Sequence, residues 1–193
     1  RALMALTKPG TKAMAVVKAD AYGHGDVAVA KAVNDIVDAY AVATVEEGIN
    51  LRQNGIEKMI LVLGYVDEMH YDQVIRYALS IPVFDTEMAK KMSAAAVAAG
   101  ENIRCHVKVD TGMHRIGLRP DDDGIKTVLG LAKYDGLDVE GIFTHFATAD
   151  EKDKTAAYRQ FELFKTFVEK LENEGMHFKY RHCSNSAGII DMP

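Results

Sequence analysis

The stretch Met14-Ala15-Val16-Val17-Lys18-Ala19-Asp20-Ala21-Tyr22-Gly23-His24-Gly25-Asp26-Val27-Ala28 decides the fold. Residues 14–17 are apolar with no polar alternation, the pattern of a parallel strand covered on both faces. The run ends on Lys18, and a glycine-bearing turn leads into a helical pattern. A doubly wound dinucleotide-binding sheet places G-x-G-x-x-G in this first strand-to-helix turn. Here Gly23-His24-Gly25 is followed by Asp26, Val27 and Ala28, so that fingerprint is missing. The rival parallel architecture, a closed (β/α)8 barrel, makes no such demand.

Further along, similar runs at 39–44, 58–63, 81–84, 103–110, 139–145 and 180–184 alternate with amphipathic segments. Thr44-Val45-Glu46-Glu47 reads as a capping box for a helix that stops at Gly55. Thr86 is placed to cap a helix over 87–99 that ends at Gly100. The segment 155–174 sets Tyr158, Phe161, Phe164, Val168 and Leu171 on one stripe, with Gly175 terminating it. Seven strands at this spacing favour the barrel over an open sheet. A full barrel has eight strands in about 200–250 residues, so the expectation is a parallel (β/α)8 TIM-type barrel, incomplete at its C-terminal end. Residues 1–193 then form one partial domain. Strands one and seven are expected to keep unpaired edges, a liability for self-association.

Composition narrows the function classes. Of 193 residues, 23 are basic and 28 acidic, a net charge of −5 that argues against nucleic-acid or anionic-membrane partners. No apolar run approaches the roughly 18 residues of a membrane helix, and no secretory signal opens the chain. The two cysteines, Cys105 and Cys183, build no disulfide framework, so a cytoplasmic location is expected.

In a parallel barrel, reactive groups collect at the carboxyl ends of the strands. Those ends carry Lys18, Lys108-Val109-Asp110-Thr111-Gly112, Thr144-His145 and His182-Cys183-Ser184-Asn185-Ser186, whereas the strand starts are bland. Lys18 closes an apolar strand. Desolvation lowers a lysine pKa toward the neutral amine that Schiff-base chemistry needs, and the plainer reading pairs it with Asp20. Arg115, between Gly112 and Gly117, is placed either to clamp a carboxylate or to sit over a helix end. His145 can relay a proton or orient a neighbour. Residues 184–190 read as a strand end entering a helix, where free amides and Ser186 offer a phosphate site, or simply an ordinary serine cap. Asp110-Thr111-Gly112 matches the aspartic-protease triplet, but that chemistry needs two copies. The histidines lack metal-ligand spacing, so no metal site is expected. The acidic loop at 121–124 reads as a solvated helix start.

Together these segments resemble one family. Residues 15–25 resemble the pyridoxal-phosphate attachment motif of bacterial alanine racemases. The similarity continues through 42–48, 107–113, 141–146 and 184–187, in order and over essentially the whole chain. The resemblance implies a pyridoxal 5'-phosphate enzyme that interconverts L- and D-alanine for cell-wall precursors, a homodimer when complete. It makes Lys18 the covalent cofactor anchor and one of two catalytic bases. Tyr22, Ser186 and Asn185 would bind the cofactor, and Arg115 would meet both its phenolic oxygen and the substrate carboxylate. His145 would stack near the pyridine ring and orient an arginine on the next strand, and Lys108 matches a lysine that some members carbamylate. His114 departs from a family pattern that often has a small residue there. The resemblance also puts the opposite-face base on a C-terminal β-domain, and the pyridine-nitrogen partner on strand eight; this chain offers a residue for neither role. It is therefore expected to be inactive alone. Alternatives left open are a serine or broad-specificity racemase of the same fold, a non-catalytic pyridoxal-phosphate carrier, and an aldolase-type Schiff-base lysine at Lys18. A decarboxylase of the same barrel type fits residues 21–25 less well.

Overall fold

The computed structural model describes residues 1–192. Its seven strands are β1 (Met14–Val16), β2 (Ala39–Val42), β3 (Met59–Val62), β4 (Ser80–Val83), β5 (Ile103–Lys108), β6 (Leu137–Phe143) and β7 (Tyr180–His182). They form a single parallel sheet in the order β1-β2-β3-β4-β5-β6-β7. The helical segments are α1 (Lys18–Gly23), α2 (Asp26–Val33), α3 (Val45–Gln53), α4 (Tyr71–Arg76), α5 (Thr86–Ala99), α6 (Asp122–Leu131), α7 (Thr155–Asn173) and α8 (Ser186–Asp191). The chain is thus an incomplete TIM-type barrel. Each edge strand pairs on one side, β1 with β2 and β7 with β6. The sheet curls far enough that the Lys12 ammonium, just before β1, lies 5.1 Å from the Tyr180 ring centroid on β7.

Strand parity separates two environments. The Tyr40 hydroxyl donates to Ala30 O at 2.7 Å and Asn34 Oδ1 at 3.0 Å, so this face of β2 meets the helices. With Val42, Ile60, Ile81, Val107 and Ile142 it forms the main apolar core between sheet and helices. The concave face is unusual. Barrel interiors are filled mostly by branched apolar residues, yet here His106, Lys108, Glu140 and Ser80 are buried polar groups.

Two sequence expectations about helices change. Asp85, not Thr86, caps α5: in extended backbone, its Oδ1 accepts from Met88 N–H at 2.7 Å. On α7 the buried stripe is Ala157, Gln160, Phe164, Phe167, Val168 and Leu171, which leaves Tyr158 and Phe161 partly exposed. The helix is rolled so that a glutamine, rather than Phe161, faces the strands. The Thr44 capping box forms as read, and Asp121 caps α6 through Gly124 N–H.

Candidate active site

Because the sheet is parallel, the candidate residues that follow its strands lie toward the same end of the sheet. β1 ends at Val16, and Lys18 opens α1 instead of closing the strand. Ala19, Asp20, Ala21 and Tyr22 then take left-handed backbone angles, with φ between 50° and 58°. Such angles cost on the order of 1–2 kcal/mol per non-glycine residue, so the turn needs external support. Glu47 supplies it. One carboxylate oxygen accepts from Ala19 N–H at 2.7 Å and the other from Ala43 N–H at 2.6 Å, tying the turn to the end of β2. Asp20 accepts from Asp26 N–H and His24 Nδ1 approaches Ala21 O, closing the turn onto α2. The suggested Lys18–Asp20 pair does not form: among the described residues Asp20 is used by α2. The turn leaves Tyr22 63% exposed.

Three cations meet around one histidine. His145 follows β6 and is half-buried. Burial, then the charges of Arg115, Lys108 and Lys18, hold its pKa below the usual histidine range. Lys108 ends β5 with its amine buried, donating to Val109 O at 3.2 Å and lying 5.1 Å from the Phe143 ring centroid. Burial pulls that amine down to about 8; Asp110 opposes the shift and Arg115 adds to it. Arg115 is exposed, on a loop folded by Asp110, whose carboxylate accepts from Gly112 N–H, His114 N–H and the His114 ring. His114 has φ 56°, which its bonds to Asp110 stabilise. Asp110 is therefore a loop organiser. On α8, Asn185 is the cap, its Oδ1 accepting from Gly188 N–H at 2.9 Å, and Ser186 opens the helix exposed.

Below the mouth lies a buried polar chain that the sequence reading missed. His106 Nδ1 lies 3.0 Å from His182 Nε2, and Glu140 Oε1 accepts from Ser80 Oγ at 2.7 Å while standing 3.4 Å from His106 Nε2. Burial would raise Glu140, but His106 and the Ser80 hydroxyl bring it below the ordinary carboxylate range. Burial and the neighbouring His106 pull His182 down to about 3, so it is neutral at physiological pH. A bulge between Cys105 and His106 in the β5–β6 register turns Glu140 inward, which a simple alternation count cannot anticipate. Among the described residues no cluster of metal ligands occurs, and no helix is long and apolar enough to cross a membrane.

Comparison with known proteins settles the family. The family model described as alanine racemase, N-terminal domain, matches residues 1–193. The chain belongs to this family. It is 44% identical over 186 residues to an alanine racemase of Desulforamulus reducens, covering 96% of this chain and 50% of the relative. An alanine racemase of Methanococcus maripaludis is 41% identical, with 97% and 51% covered. Among solved structures, an alanine racemase of Clostridium difficile 630 in complex with cycloserine superposes with a TM-score of 0.96 at 42% identity, covering 99% of this chain and 53% of that one. An alanine racemase of D-cycloserine-producing Streptomyces lavendulae superposes with a TM-score of 0.91 at 31% identity, covering 100% of this chain and 51% of that one. The chain spans about half the length of the curated relatives it matches.

Proposed function

We propose that this chain is the cofactor-binding barrel part of a pyridoxal 5'-phosphate-dependent racemase that interconverts L- and D-alanine. The observation that carries the reading is that Lys18, Lys108 and Arg115, all following carboxyl ends of the parallel strands, are near enough to His145 for their charges, after burial, to lower its pKa. A cationic mouth suits two anions, a phosphate and an amino-acid carboxylate.

The residues fit the cofactor by their chemistry. The capped start of α8, with the hydroxyls of Ser186 and of the exposed Tyr22, offers neutral donors for a phosphate, while Asn185 shapes that helix start. Lys18 offers an amine held by a strained, tethered turn. When bound, the cofactor's pyridine ring takes up the electron pair left as the substrate Cα loses its proton. Lys18 Nζ would move that proton on one face, and Arg115 would pair with the substrate carboxylate and the cofactor's phenolic oxygen. His145, whose pKa is lowered by burial and then by its cationic neighbours, would lie beside the ring without adding positive charge. The lowered Lys108 amine is partly neutral near pH 8, the state that adds carbon dioxide to form a carbamate.

Inversion needs a second base on the opposite face, which this reading places on a β-domain of a partner subunit in a homodimer. The full protein would supply D-alanine for peptidoglycan in the cytoplasm. The test is a coupled D-alanine assay on this chain alone and on a longer protein that joins it to a family C-terminal half. The longer protein is expected to racemise alanine and the short chain is not. An active long protein that turns over serine but not alanine would overturn the substrate assignment.

A further inference from the structure

The rolled face of α7 buries a glutamine where the apolar pattern expected Phe161, and its contacts explain why. Gln160 is 5% exposed. Its Oε1 accepts from Ala147 N–H at 2.9 Å, and its Nε2 donates to His145 O at 3.2 Å and to Thr111 Oγ1 at 3.3 Å. The amide orientation follows from its partners, since a backbone N–H only donates and a backbone carbonyl only accepts. Thr144 Oγ1 donates to Val109 O at 2.9 Å, so in the 2.7 Å contact between the two threonines Thr111 is the donor. The chain Gln160 to Thr111 to Thr144 to Val109 O therefore runs one way, with each hydroxyl hydrogen used once. Gly112, beside Thr111, leaves space for the glutamine: a Cβ there would stand 3.4 Å from its Cγ.

We propose that Gln160 is a positioning residue of this site, its carboxamide holding the loop that bears Arg115 against the loop that bears His145. One side chain from outside the barrel bonds both loops, and each loop carries a residue of the mouth. Without those bonds, Arg115 and His145 are free to separate. The role in catalysis rests on the cofactor reading above, whereas the geometric link does not.

The test therefore has two arms. In the cofactor-free chain, the His145 ring is titrated by NMR, its signal assigned by loss in His145→Gln. The charged groups facing it are Arg115, Lys108 and Lys18. In Gln160→Met, which keeps the size and removes all three bonds, the His145 pKa is expected to rise toward the ordinary value of about 6.5. Phe164→Leu, on the same buried face, serves as the control: it should lower the melting temperature and leave His145 unmoved. If Gln160→Met does not fold, Thr111→Val cuts the same link from the other end. In the second arm, titration with pyridoxal 5'-phosphate should show a roughly tenfold weaker complex for Gln160→Met. An unchanged His145 titration in a folded Gln160→Met or Thr111→Val protein would overturn the proposal. A wild-type chain that binds no cofactor would instead count against the functional reading, with the first arm still deciding on Gln160.

Discussion

His106 of β5 and His182 of β7 meet over the intervening strand β6, with Nδ1 of the first 3.0 Å from Nε2 of the second. Gly141 is the register partner of His106 on β5 and of Tyr180 on β7, and His106 stacks on Tyr180 with centroids 5.8 Å apart. A Cβ at position 141 would drive into the His106 ring. Gly141→Ala is expected to cost about 2 kcal/mol, as overpacking in a rigid core does. It should also break the imidazole pair. Denaturant unfolding reads the first effect, and ring ¹⁵N chemical shifts of His182 read the second. A variant of wild-type stability would contradict the packing described.

Lys108 predicts a pH window. Its amine titrates at about 8 in the folded chain against 10.5 as a free lysine. Between these values the unfolded state binds the proton that the folded state has released, so stability rises with pH across the window. Below about 8 the cost of burying the charge is fully present, on the order of 3 kcal/mol. Lys108→Met is therefore expected to be the more stable protein at pH 7, in buffer free of carbon dioxide, and to lack the alkaline rise. Paired unfolding curves from pH 7 to 10.5 check both. A variant less stable than wild type at pH 7 would show that the amine is held by compensating bonds.

Glu47 holds the left-handed turn behind Lys18, and its removal should be felt twice. Glu47→Ala frees Ala19 N–H and Ala43 N–H. The expected loss is about 2 kcal/mol of stability, with a weaker grip on pyridoxal 5'-phosphate as the turn relaxes. Calorimetry and cofactor titration measure the two effects separately. A drop in stability with unchanged cofactor affinity would confine Glu47 to the scaffold.

At the start of α5, Asp85→Ala should cost about 1 kcal/mol and Thr86→Ala much less, because the aspartate makes the capping bond. Equal effects in thermal melts would restore the threonine.

How legible all this was in the sequence depended on which residues carried the signal. The strands β1 to β4 declared themselves through short, mainly apolar runs, and β5 to β7 by their regular spacing between helical segments. The mouth declared itself through ionisable groups at the strand ends, Lys18, Lys108, Arg115 and His145 among them. What stayed hidden was whatever depended on a register or on a rotation. Glu140 faces inward only because of the bulge beside His106. Gln160 is buried only because α7 is rolled so that Tyr158 and Phe161 face outward while Phe164 and Phe167 face in. Glu47 read as half of a capping box, and the sequence held no sign that its carboxylate also reaches the turn after Lys18. Asp85 and Thr86 are both good caps, and the one-residue choice between them is made by backbone angles.

In the proposed function Lys18 carries the cofactor, and one labelling experiment tests this directly. The chain is mixed with pyridoxal 5'-phosphate, reduced with borohydride, digested and read by mass spectrometry. One phosphopyridoxyl group is expected, on the peptide containing Lys18, with no specific label in Lys18→Ala. Labelling that falls instead on Lys108 or spreads over surface lysines, with Lys18 unmodified, would contradict it.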